Sequence, residues 1–262
     1  MPKVRVNGTG IYYESRGDGF PLVMIMGLGG NIDWWPPELL DRLAQRYMLL
    51  VFDNRGAGRS DAPAVDYSIS MFARDTVDLM SLLGIKRAHV FGVSMGGMIA
   101  QEMALSYPGR VEKLVLGCTN CGPGHSVPAP AEVIALLLNQ SAAPPAEILK
   151  ILFPEDYIAQ NMDKIGEFVR RYTVAPIAPE AHKRQLGAIA AFNSYDRLAR
   201  ITAPTLVITG DRDVLIPPEN SEILARNIPG ARMITVKGCG HGFVGQAPDE
   251  VFEMLQEFLE VK

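Results

Sequence analysis

The sequence predicts an α/β protein: a largely parallel sheet buried on both faces, helices on either side, and one helical insertion. Three observations lead there. Short apolar, β-branched runs at 22–26, 48–53, 88–92, 113–118, 205–209 and 231–236 lack polar/apolar alternation, as strands covered on both faces do. Helical periodicity fills the gaps between them, at 37–45, 71–83, 95–106, 218–227 and 248–260. From 122 to 193, finally, no strand pattern occurs, and Pro128, Pro130, Pro144, Pro145, Pro154, Pro176 and Pro179 divide short helical stretches.

Taken in order, residues 3–6 and 10–15 alternate polar and apolar around Asn7-Gly8, the pattern of a hairpin. The run 22–26 opens into Gly27-Leu28-Gly29-Gly30, and 88–92 into Gly92-Val93-Ser94-Met95-Gly96 at the head of the 95–106 helix. Strand 113–118 precedes the stretch without strands. That stretch therefore reads as an insertion over the carboxyl edge of the sheet, where open α/β folds bind ligands. The expected organisation is a core from 1–121 and 194–262 and a helical cap at 122–193. The last two strands lead into Gly210-Asp211-Arg212-Asp213 and Lys237-Gly238-Cys239-Gly240-His241-Gly242.

Composition narrows the function classes. Hydrophobic residues at 48% and charged residues at 21% are the balance of an ordinary globular protein. A net charge of −4 with no Lys/Arg run argues against nucleic acid or an anionic membrane surface as partner. No stretch approaches the roughly 20 apolar residues of a membrane span. Met1-Pro2-Lys3-Val4-Arg5 runs straight into alternating residues with no apolar signal region, so a cytoplasmic location is expected. Cys118 and Cys121 form a C-x-x-C, but it ends a strand instead of opening a helix, and no second ligand pair completes a zinc set. Gly27-Leu28-Gly29 with Asp53 imitates a dinucleotide site. Position 32 is nevertheless Ile, and Trp34-Trp35-Pro36-Pro37 is bulky where a phosphate needs an open helix N-terminus. No cofactor and no metal are expected.

A serine flanked by glycines two residues either side, between strand and helix, has a mechanical meaning. The turn is too tight for Cβ atoms at those positions and projects the hydroxyl into a cleft. The plainer alternative is a serine N-cap. A nucleophilic Ser94 needs a base, and there are four histidines. His89 lies within a strand, where a hydrogen-bonded structural role is expected. His125 and His182 fall in the insertion, His182 heading a charged run that reads as solvated. His241, carried on a glycine-rich loop after the last strand, is the expected base. Asp213, further along its loop than Asp211, is the expected carboxylate for His241, and Asp211 would pair with Arg212 or shape the turn. The order serine, acid, histidine is that of a triad on this kind of sheet. Oxyanion donors are expected from the backbone N–H groups of Met95 and Leu28. Met26, Trp34 and Phe243 are candidate pocket residues, with ordinary core packing as the alternative.

With these pieces in place, the chain resembles the α/β-hydrolase superfamily over essentially its whole length. The matches are Met26-Gly27-Leu28-Gly29-Gly30, Asp53-Asn54-Arg55-Gly56-Ala57-Gly58-Arg59-Ser60, Gly92 through Gly97, Gly210 through Asp213, and Gly240-His241. Within it, the chain looks most like small capped esterases, enol-lactone hydrolases and cofactor-free haloperoxidase-like enzymes. The resemblance implies an eight-stranded sheet with its second strand antiparallel, and a structural role for Asp53, Arg55, Gly56 and Ser60. Such enzymes usually carry histidine before the oxyanion glycine, where this chain has Met26. The expected activity is a serine hydrolase of small to medium carboxylic esters or lactones, as monomer or homodimer. The same triad would serve C–C bond hydrolysis or perhydrolysis, and a non-catalytic ligand-binding receptor is a third class. Seven acidic and six basic residues in 122–193 give no bulk field to select a charged substrate, although Arg170-Arg171 would bind a carboxylate locally.

Overall fold

The computed structural model describes residues 3–139 and 143–260. Met1 and Pro2 of the N-terminal pentapeptide, and 140–142 of the 122–193 insertion, lie outside the described residues.

β1 (Lys3–Val6) and β2 (Thr9–Arg16) form an antiparallel hairpin, with Asn7 (φ 49°) and Gly8 (φ 75°) both in the left-handed region that a two-residue hairpin turn requires. Then come β3 (Phe20–Ile25), α1 (Pro37–Ala44), β4 (Tyr47–Phe52), α2 (Ile69–Leu82), β5 (Ala88–Val93), α3 (Met95–Ser106) and β6 (Val111–Gly117). Among the described residues, five helices follow without a strand: α4 (Ala131–Leu138), α5 (Pro145–Leu152), α6 (Glu155–Gln160), α7 (Met162–Tyr172) and α8 (Pro179–Ala190). Proline at the first helical position opens α5 and α8, where its missing N–H costs nothing. The chain then returns to the sheet with β7 (Thr205–Gly210), α9 (Glu219–Asn227), β8 (Arg232–Val236), the short α10 (Phe243–Gln246) and α11 (Pro248–Glu260).

The eight strands form one sheet in the order β1-β2-β4-β3-β5-β6-β7-β8. β2 runs antiparallel to both its neighbours, and every pair from β4 to β8 is parallel. β3 therefore has β4 on one side and β5 on the other, so the chain reverses its direction of travel across the sheet there. The crevice at the carboxyl ends of β3 and β5 is the switch point at which open sheets bind ligands.

The absence of alternation in the strands follows from burial on both faces. In β3, Val23 and Ile25 face α2 and α3 with Val90, Leu114 and Val207, whereas Leu22 and Met24 face α1 and α11 with Phe91, Val115 and Leu206. Each such side chain contributes roughly 1.5–3 kcal/mol by leaving water. The five inserted helices have their own apolar cluster, built on Ile148, Ile151, Leu152, Phe153, Ile165 and Phe168, with Leu215 of the β7–α9 loop packed into it. Among the described residues no helix is long and apolar enough to cross a membrane.

Two histidines differ from expectation. His182, read as solvated, is 1% exposed, because α8 turns Ala181, His182, Gln185 and Ala188 inward while Glu180 and Lys183 face water. Burial lowers its pKa. His89 is buried, as a strand residue of this sheet must be, but its Nδ1 has no partner among the described residues. It packs on the Phe20 ring, with ring centroids 4.7 Å apart, and burial holds its pKa down to about 4, so it is neutral.

Candidate active site

Ser94 occupies the junction of β5 and α3 at φ 58°, ψ −123°, a conformation that costs a non-glycine residue about 1–3 kcal/mol. Four hydrogen bonds hold it there. Its N–H donates to the Gly117 carbonyl (2.9 Å), and its own carbonyl accepts from Thr119 Oγ1 (2.7 Å), Gly97 N (2.9 Å) and Met98 N (3.3 Å). The N-cap alternative fails on geometry: Ser94 stands at the cap position of α3, but its hydroxyl makes no capping hydrogen bond. The second glycine of the pentapeptide is required by close approach. A Cβ on Gly96 would fall inside the Ile25 carbonyl of β3, a backbone atom with no room to move. Gly96→Ala is accordingly expected to cost at least the ~1–3 kcal/mol of an overpacked core. Gly109→Ala, where an added Cβ meets nothing, is expected to be near neutral. Denaturant unfolding of the two variants beside the parent checks this.

The loops after β7 and β8 bring Asp213 and His241 together. His241 Nδ1 lies 2.8 Å from Asp213 Oδ2, and the Asp213 side chain is fully buried. The other carboxylate oxygen, Oδ1, accepts the N–H groups of Leu215 (2.9 Å) and Ile216 (2.8 Å), so the backbone of its own loop fixes the carboxylate. Asp211 faces elsewhere. It accepts from Gly238 N (2.7 Å) and lies 3.6 Å from Lys237 Nζ, which shapes the turn between the two loops, while Arg212 pairs with Asp156. Glycine beside His241 has a packing reason. The Gly242 N–H donates to the Leu152 carbonyl at the end of α5 (2.7 Å), and a Cβ there would overlap the Phe153 ring.

Beyond β3, residues 27–30 form a turn closed by Gly30 N to Gly27 O (3.2 Å). Among the described residues, the N–H groups of Leu28 and Met95 have no acceptor within the protein, as is also true of Gly27 and Gly96, while the Gly29, Gly30 and Gly97 amides are bonded. The turn is braced from the β4–α2 connection. Asp53 accepts from Ile32 N (2.8 Å) and Arg59 N (2.7 Å), and Asn54 Nδ2 donates to the Met26 carbonyl (2.9 Å). Arg55 makes a buried two-pronged pair with Asp75 at 2.8 Å, and Ser60 Oγ donates to the Asp53 carbonyl. Burial raises the Asp53 pKa, against the pull of its two backbone donors.

These elements surround a cavity of about 130 Å³. Ser94 and His241 line it together with Leu28 and Met95, whose amides are unbonded, and α4, α5, α7 and α8 each add apolar side chains. Met26 and Trp34 are on its wall. Phe243 is not: it is fully buried below, against Gly117 of β6, and Val244 faces the cavity instead. As the first residue of α10, Phe243 points back into the sheet. Arg170 and Arg171 do not line the cavity either, Arg171 bordering a separate groove with Glu38, Lys164 and Glu167. Among the described lining residues there is no acid and no lysine or arginine, and the polar ones are Ser94, Asn120 and His241. Asn120 Oδ1 accepts Gly122 N (2.9 Å), which leaves its NH₂ for a ligand.

One neighbour was not read from the sequence. Cys118, just past β6 at φ 42°, brings its thiol to Asp213 and His241, the three ligand atoms lying within 4.8 Å of one another. The signal available was adjacency: β6 lies beside β7, whose loop carries Asp213. The three could geometrically surround a metal ion, yet the chemistry of the set is poor for one. Asp213 is already committed to three hydrogen bonds, two of them from the backbone of its own loop, which leaves its carboxylate little freedom to turn toward an ion. Cys118, Cys121 and Cys239 are all free thiols.

A family model described as the alpha/beta hydrolase fold matches residues 21–248. The chain belongs to the α/β-hydrolase family. RutD of Azorhizobium caulinodans, a protein named for carbamate hydrolysis, is 31% identical to this α/β hydrolase over 261 residues, 98% of either chain. The enol-lactonase of Burkholderia xenovorans LB400 superposes with a TM-score of 0.88 at 25% identity, covering 99% of this chain and 100% of that one. Est816, described as an N-acyl homoserine lactone degrading enzyme, is 32% identical with a TM-score of 0.84, covering 98% and 100%. With the family model, such relatives make this α/β-hydrolase chain a hydrolase.

Proposed function

We propose that the chain is a serine hydrolase of neutral, apolar carboxylic esters and lactones, with Ser94, His241 and Asp213 as its triad. The observation that carries this is the unbonded Ser94 hydroxyl on a strained turn, in an apolar cavity it shares with a His241–Asp213 pair. Ser94 Oγ attacks the carbonyl carbon while His241 Nε2 takes its proton. Asp213, acceptor of the Nδ1 proton, keeps that nitrogen protonated and stabilises the imidazolium that forms. The Leu28 and Met95 amides, unused by the protein, bind the oxyanion. Collapse of the tetrahedral intermediate expels the alcohol, which receives the proton from His241. Water then enters by the same route and releases the acid from the acyl-enzyme.

The wall supports the substrate class. A carboxylate drawn into this cavity would meet no lysine or arginine, and burying an unpaired ion costs several kcal/mol. Apolar acyl groups meet Trp34, Ile148, Ile151 and Phe168, and the Asn120 amide offers one hydrogen bond to a second polar atom. A lactone bearing an acyl-amide chain, the substrate type in the description of Est816, has that combination. The test is kcat/KM across p-nitrophenyl esters of graded length, with butyrate set against the anionic hemisuccinate, plus an N-acyl homoserine lactone. Neutral esters are expected to win by at least ~10-fold, and a hemisuccinate rate equal to butyrate would overturn the substrate class. The name of the RutD relatives favours one second reading, acyl transfer from a carbamate. Turnover of an aryl carbamate with no turnover of esters or lactones would establish it.

A further inference from the structure

The inserted helices do more than cover the cavity. Gln185 of α8 is fully buried, and both ends of its amide are used by backbone outside the insertion. Oε1 accepts the Gly29 N–H at 2.8 Å, and Nε2 donates to the Arg55 carbonyl at 2.9 Å. Gly29, at φ 68°, is the third residue of the turn 27–30 that carries the Leu28 amide. A positive φ there with the closing Gly30-to-Gly27 bond is a type II turn, and its alternative, type I, differs by rotation of the peptide between Leu28 and Gly29. The Gly29 N–H is the atom that this rotation would swing away, and Gln185 holds it; the Leu28 N–H belongs to the preceding peptide and shifts only when the turn as a whole shifts. A second bond, Asn31 Nδ2 to the Ala175 carbonyl (2.8 Å), ties the same loop to the segment leading into α8.

We infer that Gln185 is a positioning residue: α8 anchors the turn that carries the Leu28 oxyanion donor, so that donor stands at its distance from Ser94 only when this helix is seated. This rests on Ser94 as nucleophile and Leu28 as oxyanion donor. Gln185 touches no substrate. It acts through the turn, and its removal should weaken binding of the tetrahedral state and spare the ground state.

The test uses the full chain with p-nitrophenyl butyrate, alongside Ser94→Ala as the reference for the reaction itself. Gln185→Met keeps length and volume and removes both hydrogen bonds. Its kcat is expected to fall about 10- to 100-fold with KM changed less than about 2-fold, the pattern of a donor misplaced by an ångström or less. An alkyl trifluoromethyl ketone, which adds Ser94 to mimic the tetrahedral state, should lose affinity in proportion to kcat/KM. The corresponding secondary alcohol should bind as before. Gln185→Glu keeps the acceptor for Gly29 and should recover most of the lost kcat; should Gln185→Met not fold, it carries the same measurements, and a kcat far below the parent's then counts against the inference. Parental kcat in Gln185→Met with an inactive Ser94→Ala overturns the inference alone. An active Ser94→Ala overturns the nucleophile, and the inference with it.

Discussion

Replacing Ser94 with Ala is expected to lower ester turnover by about four to six orders of magnitude, down to what oxyanion donors and binding provide alone. The fold should be untouched, because the hydroxyl makes no cap bond and the four bonds that hold the turn are all to backbone atoms of Ser94. The same geometry makes a second variant informative. Glycine adopts φ 58° without the ~1–3 kcal/mol that serine or alanine bears there. Ser94→Gly should therefore be as inactive as Ser94→Ala and yet more stable, a gain read directly from denaturant unfolding. Stability would then be the quantity given up to aim the nucleophile. A Ser94→Ala enzyme that retains p-nitrophenyl ester turnover, or a parent that a fluorophosphonate probe fails to label, would remove Ser94 from the mechanism.

What could be read in the sequence was local. The sheet was legible because each parallel strand is short, apolar and buried on both faces, so its pattern does not depend on its neighbours. Strand and helix ends fall within a residue or two of where periodicity places them, for example 95–106 against Met95–Ser106. Ser94 was legible because the turn forces glycine at fixed spacing. His182 was not, since a histidine in a charged run looks solvated until the inward face of α8 is known. Phe243 was misplaced for a similar reason. One residue separates it from Val244, and which of the two meets the cavity depends on the entry angle of a four-residue helix. Gln185 and Cys118 carried no local signal at all. Their partners are 156 residues away for the Gly29–Gln185 bond, and on a neighbouring strand's loop for Cys118. Such contacts are decided by tertiary assembly.

Asp213→Asn is expected to reduce kcat by about 10⁴-fold with little loss of fold, and the hydrogen bonds of the site say why. Asp213 Oδ1 accepts two backbone N–H groups, from Leu215 and Ile216. An asparagine at 213 must put its carbonyl oxygen there, since its NH₂ would face two donors and leave three buried groups unpaired. That choice turns the NH₂ toward His241 Nδ1, 2.8 Å from the replaced oxygen. His241 then has to accept at Nδ1, and in the neutral ring its proton moves to Nε2, the nitrogen that must be empty to receive the Ser94 proton. The imidazole is intact and in place, but in the wrong tautomer. Asp213→Ala leaves His241 free to choose either tautomer, so it should be less damaged in kcat than Asp213→Asn while losing more stability, with the Leu215 and Ile216 amides orphaned. Asp211→Asn should keep nearly parental kcat, because that side chain serves Gly238 and Lys237 at the rim. Steady-state rates and urea unfolding of the three variants separate these outcomes. A large loss in Asp211→Asn with near-parental Asp213→Asn would transfer the acid to Asp211.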